Sequence, residues 1–85
     1  MNFEDFRAKL QAAIYAGGLG PEFSLQDLFG GRWPELPAGV RVKLGEWFKQ
    51  NVRGSDSFDG ENPFDGIEFS QKKSNNLSVY RLVAN

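Results

Sequence analysis

Apolar residues between Leu36 and Arg53, in LPAGVRVKLGEWFKQNVR, recur at helical spacing. On a wheel of about 100° per residue, Val40, Leu44, Trp47, Phe48 and Val52 gather on one side and Val42, Lys43, Glu46, Lys49, Gln50 and Arg53 on the other. The pattern predicts a central amphipathic helix over residues 36–53 with one core face and one solvent face. Pro37 suits its first turn, where a missing N–H costs nothing, and Gly54 is the expected stop. Gly39 and Gly45 each cost about 1 kcal/mol relative to Ala. The helix therefore depends on tertiary packing, and Gly45 is a place where another element is expected to come close.

Before this helix, Phe3, Phe6, Leu10 and Ile14 line one face of a first helix over residues 3–16, with Asn2 placed to cap it and Gly17-Gly18 placed to end it. Glu4 and Asp5 lie in its first turn, where the helix dipole favours negative charge. Ser24-Leu25-Gln26-Asp27 has the form of a capping box with Asp in place of Glu, and Phe23 and Leu28 are positioned as a hydrophobic staple. A short second helix over 24–30, stopping at Gly30-Gly31, is expected. Glu22 to Ser24 can supply a short strand before it, and Arg32-Trp33-Pro34-Glu35 makes the turn into the central helix.

Beyond Gly54 the sequence GSDSFDGENPFDG reads as a long loop. Residues 66–70 and 77–83 then alternate apolar and polar positions around the turn-forming run Gln71 to Asn76, which predicts an antiparallel hairpin with a basic tip. Helix, short extended piece, short helix, long helix and hairpin is the element order of a winged helix, a helix-turn-helix variant whose hairpin is the wing. The expected fold is α+β and winged-helix-like, three helices followed by an antiparallel β-hairpin, in one domain over residues 1–85.

Composition changes this picture mainly by exclusion. The chain has no cysteine and no histidine, which removes disulfides, thiolate chemistry, the commonest general base and the commonest transition-metal ligand. The start MNFEDFRAKL is acidic and lacks a long apolar run, so neither a signal peptide nor a membrane span is expected, and the natural compartment is the cytoplasm. Net charge is −1 overall but segregated, at −2 over residues 1–31, +3 over 32–53, −5 over 54–69 and +3 over 70–85. A basic helix and a basic hairpin are thus separated by an acidic loop.

An enzyme needs a nucleophile with a base, paired carboxylates in a cleft, or a metal. The carboxylates here cluster mainly in the loop, and no Walker loop, dinucleotide fingerprint or zinc spacing is present. Asp56, Asp59, Glu61 and Asp65 lack the spacing and terminal Glu of a calcium loop. Gly17-Gly18-Leu19-Gly20 follows no strand and makes a poor phosphate cradle. The chain is read as non-enzymatic, with no catalytic residue, no metal and no cofactor.

Two binding functions remain. In the first the partner is double-stranded DNA: Lys43, Glu46, Lys49, Gln50 and Arg53 face the major groove, and Lys72 and Lys73 of the wing reach the backbone or the minor groove. Arg41, on the border between faces, serves either the core or a phosphate. Glu46 in the middle of that face opposes phosphate, and the same residues are also spaced for pairing along a solvated helix. In the second, the partner is a host protein met by the acidic loop, through Asp56, Asp59, Glu61, Asp65 and Glu68 flanked by Phe58 and Phe64. Those two phenylalanines either tuck against the body or stand exposed for docking. A third reading is a structural or homodimerising role through the wing or Trp33.

The run Phe23-Ser24-Leu25-x-Asp27-Leu28-Phe29, then Trp33, Leu36, Arg41-x-x-Leu44-Gly45-x-x-Phe48-x-x-x-Val52, and a hairpin with Asn75-Asn76 and Tyr80-Arg81, carries a family pattern. It resembles a family of short bacterial and phage or mobile-element proteins, a domain of unknown function. The resemblance covers about residues 22 to 82, omits the first helix and departs most in the acidic loop. It implies a small bacterial or phage accessory protein and supplies no active-site residues.

Overall fold

The computed structural model describes residues 3–72 and 78–83. Its elements run α1 (Glu4–Ala16), β1 (Glu22–Phe23), α2 (Leu25–Phe29), a 3₁₀ helix (Gly30–Glu35), α3 (Ala38–Gln50), β2 (Ile67–Lys72) and β3 (Ser78–Leu82). The strands form one antiparallel sheet in the order β1-β3-β2. Three α-helices and this sheet make a winged-helix-like α+β fold, with β2 and β3 as the wing. No helix among the described residues is long and apolar enough to cross a membrane.

Local chemistry explains most of the boundaries. In α2 the capping box forms in full: Asp27 N–H donates to Ser24 Oγ, and Ser24 N–H donates to Asp27 Oδ2. α1 ends at Gly17, whose φ of 79° suits a residue without Cβ. Its N-cap is Phe3, which makes no side-chain cap bond; Asn2, the expected cap, lies outside the described residues.

Two boundaries differ from expectation. α2 does not simply stop at its glycines, because Gly30 to Glu35 continue as a 3₁₀ helix that contains Pro34. α3 begins one residue after Pro37 and ends at Gln50, well before Gly54. The reason lies in Asn51, whose side-chain amide donates to Trp47 O at 2.8 Å and occupies an acceptor that another helical turn would need. Gly54 has another task. Its φ is 86°, in the left-handed region that favours glycine, at the point where the chain turns to run beside the Phe69 backbone of β2. Phe69 N–H donates to Arg53 O at 2.8 Å along that path. Gly45, by contrast, has no described residue within 4 Å of the position a Cβ would take, so no element among the described residues packs against it.

The core joins every layer. Leu10 and Ile14 of α1, Leu44 and Phe48 of α3, Val52, Ile67 of β2 and Tyr80 of β3 are all buried. Phe48 is central, with its ring centroid 4.9 Å from those of both Phe64 and Tyr80. Phe3 and Phe6 are half-buried against this core, as the helical spacing of α1 predicts.

Candidate nucleic-acid interface

The polar face of α3 and the Lys72–Ser78 end of the wing bound a groove of about 500 Å³. Arg41, Glu46 and Lys49 come to it from α3, Lys72 from β2, Ser78 from β3 and Gln26 from α2. Arg41, Lys49 and Lys72 are thus brought together from two elements, with the Glu46 carboxylate among them. Lys43, Gln50 and Arg53 are exposed but do not line the groove. Lys73 lies outside the described residues.

Two of these cations are not simply solvated. Lys49 has a side chain only 20% exposed, with Nζ 3.7 Å from Asp56 Oδ1 and 5.9 Å from the centre of the Phe69 ring. This corrects its placement on an open solvent face, because the turn after α3 folds Asp56 back over it. Arg41 is partly buried, and its Nε is enclosed with no hydrogen-bond acceptor among the described residues. Its stem therefore belongs to the packing between α3 and its neighbours, although the residue also lines the groove.

The acidic loop is built into the molecule. Phe64 is fully buried and packs on Phe48 and Trp47, so it is a core residue and not an exposed docking phenylalanine. Its N–H donates to Asn51 O at 2.8 Å, which fixes the loop to the end of α3. Phe58 is half-buried. Asp65 is held from α1: Gln11 exchanges two hydrogen bonds with its backbone, and the Tyr15 hydroxyl donates to its Oδ2 at 3.2 Å. Asp59 Oδ1 accepts from Glu61 N–H in a local turn, with both side chains exposed. Glu68 pairs with Arg81 across the β2–β3 ladder.

A family model of a domain of unknown function, DUF1413, matches residues 9–81, a span that takes in the acidic loop. The chain belongs to the DUF1413 family. No curated protein and no solved structure matches it. The DUF1413 match begins inside α1, so the family extends further towards the N-terminus than residues 22 to 82.

The residues that organise the loop were not singled out by sequence motifs. Gln11 and Tyr15 lie within the DUF1413 match and Arg7 just before it. Arg7 Nη1 donates to Asn62 O and Nη2 to Asn51 Oδ1, both at 2.8 Å, while Nε meets Glu4 at 2.7 Å. Its guanidinium also lies 4.9 Å from the Phe64 ring centre and 5.4 Å from that of Trp47. The hydrogen bond from Arg7 holds the Glu4 carboxyl below its ordinary value. Lost hydration, and next the Asp65 carboxylate, hold the Tyr15 hydroxyl above its own. An arginine at helical spacing among Phe3, Phe6 and Leu10 is the one available signal, since a cation on an aromatic stripe needs acceptors from elsewhere in the fold.

Proposed function

We propose that this chain is a small, non-enzymatic DNA-binding protein of the winged helix-turn-helix kind, with an accessory or regulatory role in the cytoplasm of a bacterium or in the service of a phage. The observation that supports this reading most directly is the shared groove, in which α3 and the wing contribute cations to one surface. In a winged helix the long helix enters the major groove while the wing lies along the backbone. Here Lys43 and Gln50 face outward on α3, Arg53 is exposed just beyond its end, and Lys72 is exposed on β2. Gln50 supplies an amide able to read adenine, and the cations supply phosphate contacts. Fixing the acidic loop to α1 and to the C-terminal end of α3 leaves the first turns of α3 outside its reach.

The test is a fluorescence anisotropy titration of the full chain against a mixed-sequence duplex over a range of salt. Affinity should fall steeply as salt rises, because each neutralised phosphate releases counterions. Replacing Lys43, Arg53 or Lys72 with Ala should lower the log–log salt slope by about 1 each without unfolding the protein. Absence of binding at the lowest salt would refute the reading.

A further inference from the structure

Val42 is 62% exposed, on the outward side of α3. Among the described residues the other exposed large apolar side chains are Tyr15, Leu82 and Val83, none of them on this helix. Neither burial nor helix formation accounts for a valine here, because Ala is the better helix former at a solvated position. Its surroundings are small. Ala38 and Gly39, one turn earlier, are exposed, and no described residue lies within 4 Å of where a Gly39 Cβ would be. Trp33, Ala38, Arg41 and Val42 line a shallow, open hollow of about 330 Å³.

We infer that Val42 is a specificity-determining residue that reads the C5-methyl group of thymine in the major groove. The inference rests on the DNA-binding reading above and adds to it a base preference. The first turns of a recognition helix are the part that meets base edges. Of the four bases, thymine alone presents a methyl group there; the other edges present donors and acceptors. An isopropyl group placed on those polar edges would strip their water and return no hydrogen bond. Placed on a thymine methyl, it removes apolar surface from water on both sides. Ala38 and Gly39 let the helix backbone come close enough for so short a side chain to reach. Arg41, bordering the same hollow, is placed for the adjoining phosphate or a neighbouring guanine.

The decisive comparison uses a mixed-sequence duplex made once with thymine and once with uracil throughout, so that the sequence is kept and the methyl groups are removed. The wild-type chain should bind the thymine duplex more tightly, by about four-fold for each methyl group contacted. In Val42→Ala, which leaves an exposed helix position intact, most of that preference should vanish while the salt dependence stays as it was. Equal wild-type affinity for the two duplexes would overturn the thymine reading and leave DNA binding standing. Failure to bind either duplex at the lowest salt would overturn both. A fall in solution mass on making Val42→Ala, measured by sedimentation, would also overturn it, since the valine would then be covered by a second copy of the chain.

Discussion

Arg7 holds together parts of the chain that sequence analysis treats separately. Its guanidinium bonds to the loop at Asn62 and to the end of α3 at Asn51, and lies beside Trp47 and Phe64. Arg7→Ala should destabilise the protein by about 1–3 kcal/mol in urea unfolding, because the Asn51 oxygen loses its donor in a partly buried site. Phe64→Ala should be more severe, at about 3–5 kcal/mol, since it opens a cavity beside Phe48. Tyr80 sets the alkaline limit. Burial pushes its hydroxyl well above the ordinary tyrosine value, so the folded state resists ionisation that the unfolded chain accepts near pH 10. The corresponding stability is complete below about pH 10 and is lost as pH rises through the folded value. In denaturant titrations at pH 8 and pH 11, Tyr80→Phe should lose less stability between the two than the wild type.

At the scale of elements, what could be read in the sequence was whatever local rules decide. Ser24 and Asp27 sit three residues apart and the capping box forms, so Ser24→Ala should cost about 1 kcal/mol by the same unfolding measurement. The pairing of Glu22 and Phe23 with Arg81 and Tyr80 completes the sheet from a strand that the sequence only allowed. Apolar period placed Leu44, Phe48 and Val52 in the core, and all three are fully buried. The miscues came from contacts that join distant positions. Helical phase puts Lys49 among solvated residues, yet Asp56 and Phe69 cover it, one from the following turn and the other from the wing. The early end of α3 depends on the Asn51 side chain, where a propensity argument points to Gly54. Composition reads the acidic run as a solvated or partner-facing loop, and Asp56, Asp59 and Glu61 are exposed; what it does not announce is that Gln11 and Tyr15 hold Asp65 to α1.

For the molecule as a whole, the distribution of charge matters more than its sum. Lys49 lines the groove, but Asp56 offsets part of its charge at 3.7 Å. Asp56→Asn should therefore strengthen duplex binding at low salt and steepen its salt dependence, as seen by anisotropy, while Lys49→Ala should weaken binding less than Arg53→Ala. The first change reaches DNA affinity through a residue that does not itself line the groove.

The close passage of Gly54 beside β2 also bears on solubility. β2 is an edge strand of the sheet, and a strand edge with unpaired backbone groups is a template for another chain to extend. Here Arg53 caps that edge at Glu68 and Phe69, and the ladder shifts register between Phe69 and Gln71, which interrupts its regular outline. The wing can project from the body without offering a long flat edge for self-assembly. A side chain at position 54 would strain the backbone at its φ of 86° and so loosen the covering segment, and its penalty should appear less in the melting temperature than in light scattering from concentrated solutions.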